Sequence, residues 1–530
     1  MALRGLWVVV VVGFVVGGGG VGWANAQSSS SGSSGSSDDG PPHAAVIAND
    51  QHGNLHVNTT TGRGHVVVNN VDLTAKTQML WNNTAAIAAT HARLMAAHES
   101  RKQVLDGLTV GHEFLRAALD YEQEPSVADE VAYVLQTPSH NSAADVVVDP
   151  AGGFVCQLLS QSNVVVACAN AATGMDIWSK TVSDGPWGNA LALDATATRL
   201  FVAGKMTSSL IMQQSAVTAG AFVACFDAEN GTPLWSAPFP GPHSFASLAV
   251  SGSGDAVYVA GQSTGAFLDN AHNRDSDIIV ARLNATTGNV DWSAQIGSGD
   301  NDNAKGVAVD EQGNVYVAGL TEDPRSFGGS IFDLDDAVVI KYSSDGRRSW
   351  ISLLSTVGED SCYDITADGQ GGVVVACRSS VIYEGPDASA RGSSAHFFVA
   401  RVNTSDGGIV WWAHTSTDGS GDTYARAIVM DSARKHVVLT GYTEYALSRY
   451  RQQGTNDLFV VKMAAATGEV VWSTQIGSPE TAVGYGVAVD AADNIYVAGA
   501  VRNELVGLAD HGASTTTGQT DAVLVKFFAP

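Results

Sequence analysis

From about residue 131 onward the chain is written in short apolar runs separated by short polar ones. The runs "DIIVARL" (277–283), "DAVVIKY" (336–342), "DLFVVKM" (457–463) and "DAVLVKF" (521–527) are rich in Val and Ile, whose branched Cβ suits a pleated strand. Apolar residues stand on both faces of these runs, so each predicted strand must be covered on both sides. The linking phrases "NATTG", "SSDG", "DAENG" and "AAATG" supply the small polar residues and the positive-φ glycine of tight hairpins. Another run, "DEQGNVYVAGL" at 310–320, returns almost unchanged as "DAADNIYVAGA" at 490–500.

That return is one instance of a longer period. Gly-x-x-x-Trp occurs six times, at Gly174/Trp178, Gly231/Trp235, Gly288/Trp292, Gly346/Trp350, Gly408/Trp412 and Gly468/Trp472, with Trp intervals of 57, 57, 58, 62 and 60. Between successive Trp the order of parts is fixed and predicts four strands per unit, A to D, with the Trp on D. Seven A strands end near Asp149, Asp194, Val250, Asp310, Asp368, Asp431 and Asp490, yet only six Trp strands follow, because the chain stops just after its seventh C strand. The stretch "VAYVLQTPSHNSAADVVVD" (131–149) aligns with "VVWSTQIGSPETAVGYGVAVD" (470–490), so residues 131–137 read as a spare D strand. One strand short at the end and one over at the start predicts a closed ring. The fold class is all-β: a seven-bladed propeller of four-stranded antiparallel blades, closed by an N-terminal strand.

The "GNVYVAG" strand, the "DAVVIKY" strand and the "SAQIGSGDNDNAKGVAVD" linker resemble the SBBP class of β-propeller repeat, and "NATTGNVDWS" resembles the Trp-bearing repeat of pyrroloquinoline quinone propellers. These resemblances span roughly residues 131–530 and imply the propeller, a fold that hosts enzymes, lectins and inert scaffolds alike. The second also implies a quinone enzyme as an alternative activity, although no Cys-Cys pair of the kind many quinone dehydrogenases use is present.

Composition narrows the partners. The 530 residues carry 57 Gly against 14 Pro, in keeping with many strands and tight turns, and a formal charge of −25, which repels phosphate backbones and excludes nucleic acid as an expected partner. One Arg, an apolar run and the triplet Ala24-Asn25-Ala26 have the layout of a cleaved secretory signal, with Gln27 as the first mature residue. The predicted organisation is thus signal peptide 1–26, Ser/Gly-rich linker 27–53, an arm with a short hairpin and helix at 54–128, and propeller 129–530, with no membrane span after signal cleavage. Leu73, Leu80, Ile87 and Leu94 recur every seven residues, but Thr77, Thr84, His91 and His98 occupy the companion positions, so residues 73–98 make a weak oligomerising seam. Secretion gives meaning to the acceptor sequences at Asn58, Asn82, Asn230, Asn284 and Asn403, the last three at predicted hairpin tips.

Repetition also sorts the candidate chemistry, since a residue present in every blade serves the blade. Trp178, Trp235, Trp292, Trp350, Trp412 and Trp472 therefore read as packing between sheets, and the equivalent cations Arg282, Lys341, Arg401, Lys462 and Lys526 as partners of turn carboxylates. Cys362 and Cys377 are symmetric about one hairpin turn and Cys156 and Cys168 about another, which predicts two cross-strand disulfides and leaves Cys225 as a buried thiol. "DNDNAKG" (300–306) opens like a calcium loop, but Ala304 replaces the third ligand; with "DNAHNRDSD" (269–277) it reads as solvated surface. Glu359 and Asp360 are adjacent on a strand and point to opposite faces, so they cannot flank one glycosidic bond. No catalytic, cofactor-binding or metal-binding residue is assigned. The expected function is a secreted, non-catalytic module that binds an extracellular protein or glycan through variable B–C loops at about 205–220, 262–276, 321–335, 379–395, 442–456 and 501–520. A quinone-dependent or other small-molecule enzyme using the central channel is the first alternative, and a structural wall or matrix component the second.

Overall fold

The computed structural model divides the chain into two compact units, Met1–Arg101 and Lys102–Pro530. In the first it describes four short strands: Ala45–Asn49 pairs with Leu55–Thr59, and Val67–Val68 with Val71–Asp72. In the second it describes residues 130–530 apart from 138–140, 186, 209, 211–217, 273, 329–334, 357, 381–394, 415–420, 448–449 and 509–518. The signal peptide, the residues of the helical seam and Asn82 lie outside the described residues. Ala45–Asn49 is a strand inside the stretch that composition assigns to linker; its sequence, AVIAN, is apolar and lacks the Ser and Gly that precede it.

The second unit is a seven-bladed propeller. Six sheets each take four consecutive antiparallel strands, spanning 142–184, 187–240, 243–296, 302–354, 360–414 and 423–476, in the spatial order A-B-C-D. The seventh takes its A, B and C strands from 481–489, 495–502 and 520–527, and its D strand from Val131–Thr137. The pairing there is antiparallel, Ala522 opposite Thr137 through Phe527 opposite Val131. The ring therefore closes by joining the two ends of the unit, so that no blade is left with an unpaired C strand.

The core is divided among the gaps between blades. Strands B and C are buried along nearly their whole length, as in Ala256–Ser263 and Asp277–Asn284 of blade 3, which is why their sequences are apolar at successive positions. Strand D is half exposed and holds the Trp. Trp178 donates its indole N–H to the carbonyl of Ala228 in the next blade at 3.0 Å, and the same bond joins Trp235 to Ala285, Trp292 to Ser344, Trp350 to Thr404 and Trp411 to Ala465. The hairpin glycine of the next blade lies flat on that Trp: Gly288 has φ 74°, and a Cβ on it would fall 2.6 Å from the Trp235 ring. The Gly-x-x-x-Trp phrase thus records two halves of successive contacts, with Trp178, Trp235, Trp292, Trp350 and Trp411 each roofed by the glycine one blade on.

Blade 5 departs from the sequence reading. Its packing residue is Trp411, not Trp412: Gly407 takes the positive φ of 77° over Trp350, so the phrase runs Gly407 to Trp411, and Trp411 is the one that bonds to Ala465. Trp412, one residue on, points to the other face of the sheet and meets Phe398 edge-on at 5.8 Å. In blade 7 Tyr133 stands opposite Lys526, where the other blades set their Trp, and its hydroxyl donates to the carbonyl of Ala171 at 3.3 Å. Trp472 packs on the same closing blade, with its ring 6.2 Å from Phe527.

Candidate functional site

Each strand A touches the strand A of both neighbouring blades, so the seven together line a central channel. Every one of them carries a bulge at the same place, and the residue it squeezes out of the ladder is Ala144, Asn189, Ala246, Lys305, Tyr363, Arg426 or Tyr485. All seven are partly exposed although they sit in mid-strand, because a bulge leaves its extra residue unpaired and re-aims the side chain, here toward the axis. The bulge also explains the glycine of "VYVAG". A Cβ on Gly319 would lie 2.0 Å from the carbonyl oxygen of Asn303, so the bulged backbone of strand A presses directly on strand B. In blade 5 the glycine position is Cys377, which is bonded to Cys362 directly across the strands and next to Tyr363.

The wall is not uniform. Blades 1 to 3 present Ala144, Asn189 and Ala246, whereas blades 4 to 7 present Lys305, Tyr363, Arg426 and Tyr485. The guanidinium of Arg426 lies 4.6 Å from the ring centre of Tyr363, 5.3 Å from that of Tyr424 and 5.6 Å from that of Tyr442. Tyr424 and Tyr442 stack at 5.0 Å, and Tyr363 meets Tyr424 edge-on at 6.1 Å. Arg378 Nη1 donates to the Tyr424 hydroxyl at 3.2 Å, which in turn donates to Asp422 at 3.2 Å; Glu359 pairs with Arg378 at 3.6 Å. Burial, and then the charge of Arg426, hold the Lys305 ammonium below the usual lysine range.

The next residue along locks the ring. Asp145 accepts the backbone N–H of Leu191 in blade 2 at 2.7 Å, Ser247 that of Val307 in blade 4 at 3.1 Å, and Asp364 that of Ile428 in blade 6 at 2.9 Å. Blades 1, 3 and 5 each reach forward, and the receiving blades carry the small residues Ala190, Gly306 and Ala427 there. Burial pushes the Asp145 and Asp364 carboxyls up to about 7, against the pull of their backbone donors.

Residues 291–323 and 471–500, each running from a Trp strand through A into B, match the family described as SBBP, beta-propeller repeat. The chain carries SBBP β-propeller repeats. Comparison with the curated proteins finds none that match. Among solved structures, the WD40 β-propeller domain of Doa1 aligns with 76% of this chain and 97% of that chain at 12% identity and a TM-score of 0.44. The hydrazine synthase of Kuenenia stuttgartiensis aligns with 72% and 97% at 12% identity and a TM-score of 0.43. U3-55K aligns with 75% and 99% at 9% identity and a TM-score of 0.46.

The other sequence-derived positions sit away from the channel arc. Cys156 is joined to Cys168 across strands B and C of blade 1, and Cys225 is free and buried, its thiol pushed up to about 12 by burial. Asn230 is exposed at a C–D hairpin tip. Asn284 and Asn403 instead open their hairpins: the Asn284 side-chain oxygen accepts the backbone N–H groups of Thr286 and Thr287, both at 3.0 Å, and that of Asn403 accepts the N–H and hydroxyl of Ser405 at 2.8 and 2.9 Å. Asn58 lies in a strand, opposite Val46. Of the repeated cations, Arg401 pairs with the turn carboxylate Asp368 at 2.7 Å, but Lys341 and Lys526 donate to carbonyls of the following blade, Thr404 and Ala171, both at 2.8 Å. Asp310 and Asp490 are capped by turn N–H groups, an Asn side chain and a Tyr hydroxyl from the same SBBP repeat.

The acidic loops are solvated at Asp269, Asp275 and Asp300, but not at the carboxylates that open the following strands. Asp302 and Asp277 are fully buried, and Asp302 accepts the Ser298 hydroxyl at 2.8 Å as its strand begins. No group of three His, Cys, Asp or Glu among the described residues could hold a metal ion. Asp360 is likewise fully buried, and burial pushes it up to about 7, while its neighbour Glu359 faces outward to Arg378. A separate cleft of about 620 Å³ opens between blades 2 and 3, lined by Pro238, Phe239, His243, Phe267 and Leu268. No helix among the described residues is long and apolar enough to cross a membrane.

The sequence reading missed the channel arc. The signal was present: the bulge residue always stands five positions before the residue that opens the A–B turn, Asp149, Asp194, Ser251, Asp310, Asp368, Asp431 or Asp490. Only the position of the bulge gives that count a meaning.

Proposed function

We propose that this chain is a secreted, glycosylated binding module that holds an extracellular protein or glycan without transforming it. Its binding surface is the end of the ring where the B–C loops emerge, together with the channel mouth between blades 4 and 6. In a four-stranded meander the B–C loops and the D–A connections lie at one end of the strands. Tyr442 and Arg378, at the ends of their B strands, lie toward that end. The observation that carries the reading is the gathering of large polar side chains that the repeat does not dictate, Lys305, Tyr363, Arg426, Tyr424, Tyr442 and Arg378, in one arc of the channel wall. The two disulfides support an oxidising compartment, with cleavage after Ala26 and glycans carried first of all at the exposed Asn230.

The test is an array of extracellular glycans and matrix proteins probed with the secreted protein and with Tyr424→Ala. Retention by the wild type that the variant loses supports the reading. Dye-linked oxidation of a substrate after addition of pyrroloquinoline quinone would replace it with an enzyme of the channel, and self-assembly without a soluble ligand would replace it with a structural component.

A further inference from the structure

Lys305 and Arg426 are unusual cations for this molecule. The chain holds 53 acidic residues against 28 Lys and Arg, and the partly buried cations Arg401, Lys341 and Lys526 sit on a carboxylate or a carbonyl. Among the described residues, neither Lys305 nor Arg426 has an ion pair. The carboxylates next to the arc residues, and Asp145 on the same ring, hold other partners. Glu359 pairs with Arg378, and Asp422 accepts the Tyr424 hydroxyl and, at 2.7 Å, the N–H of Ala395. Asp364 and Asp145 each accept two backbone N–H groups at 2.7–2.9 Å. Arg426 is held by the faces of three tyrosines and by a hydrogen bond to Tyr442, which orient a guanidinium without cancelling its charge, and its Nε is buried without a hydrogen-bond acceptor. Lys305, Tyr363 and Arg426 are the bulge residues of three successive A strands, in blades 4, 5 and 6, and Arg426 lies 4.6 Å from the Tyr363 ring, so the three share one part of the channel wall.

Resting on the binding-module reading, we propose that this arc of the channel is an oxyanion site, in which a carboxylate, sulfate or phosphate group sits between the Lys305 ammonium and the Arg426 guanidinium. Two like charges brought together in a partly desolvated wall repel each other, and an anion between them reverses that cost and satisfies the planar guanidinium fork. Tyr363 of blade 5 and Tyr485 of blade 7 are the bulge residues on either side of Arg426 in the same ring. The disulfide Cys362–Cys377 fixes the backbone beside Tyr363, so the site is preformed. The anion is either a free inorganic ion or the acidic group of a saccharide, and the two are separable by experiment.

The experiment uses the full secreted chain. Thermal unfolding is followed with sodium sulfate and with glucuronate, against sodium chloride at equal ionic strength and against glucose. The expected result is a saturable rise in Tm with sulfate or glucuronate beyond the chloride control and none with glucose. Lys305→Gln and Arg426→Gln should each weaken the apparent affinity about tenfold or more, the worth of one charge-assisted contact. Preference for sulfate identifies a free inorganic ion, and preference for glucuronate an acidic sugar. A second readout needs no variant: the folded wild type is treated with an amine-selective reagent, and labelling of Lys305, read by peptide mass, should fall when the anion is present. No response of the wild type beyond chloride, an undiminished response in both variants, or Lys305 labelling that is indifferent to anion would overturn the proposal. Failure here with retained binding on the glycan and protein array removes the oxyanion site and leaves the binding module; failure of both removes both.

Discussion

The outer girdle of Trp and the inner ring of bulge residues are two sets of equivalent positions in the same seven sheets, and they have opposite characters. In the girdle one solution is used again and again: an indole N–H bonded to a carbonyl of the next blade and roofed by its glycine, with the Tyr133 hydroxyl supplying the hydrogen bond in the blade that is split between the two ends of the unit. In the inner ring the backbone solution is repeated but the side chain is not, running from Ala144 to Arg426. The difference teaches where the fold constrains chemistry. A girdle side chain is pressed between two sheets and must fit both, whereas a bulge residue has left the ladder and faces the channel, so blade geometry leaves its identity free.

That contrast can be broken or sharpened by substitution. The largest effect is expected where closure itself is attacked. Val134, 2% exposed and opposite Val525, anchors the seventh D strand, and Val134→Asp should cost about 4 kcal/mol or more by burying an unpaired carboxylate, read as a fall in the urea midpoint. Within the girdle, Trp411→Ala should cost about 3 kcal/mol and Trp412→Ala distinctly less, because only Trp411 carries the contact to Ala465 and the glycine of the next blade. Equal losses would mean that the two indoles share the role. A smaller effect is expected from the carboxyls of the inner half. Asp145, Asp360 and Asp364 are raised by burial to about 7, so they keep their protons in the folded state after the unfolded chain has lost them. Their contribution is fully present below about pH 4 and is lost as pH rises to about 7. The protein should therefore unfold at higher denaturant at pH 5 than at pH 8, and Asp364→Asn should shrink that gap; an unchanged gap would count against the assignment. The smallest effect should come from the bulge ring: Arg426→Gln should leave stability within about 1 kcal/mol of the wild type in the same urea titration, since across the blades it gives up only the cation–π contact with the Tyr363 ring.

Much of the architecture was legible because it is periodic. Alternating and continuous apolar runs, the turn phrases and the recurring Trp are local consequences of burying a strand between two sheets, and counting them gave the seven blades. The excess strand at residues 131–137 and the missing one after residue 527 gave the closure. Where reading by position failed, the cause was a contact beyond the local pattern. "GGIVWW" offers two glycines and two Trp at the same spacing, and only the positive φ at Gly407 and the neighbouring sheet select Trp411. Asp302 and Asp277 look like solvated loop residues until the blades close over them.

The amino-acid sequence by itself determined the strands, their grouping by fours and the ring, since each follows from side-chain shape and polarity within a single repeat. The tertiary structure alone decided that Lys305, Tyr363 and Arg426 meet. They come from three different blades, each is unremarkable in its own repeat, and only circular closure brings their bulges to one arc of the channel, where the field of one charge is felt by the next.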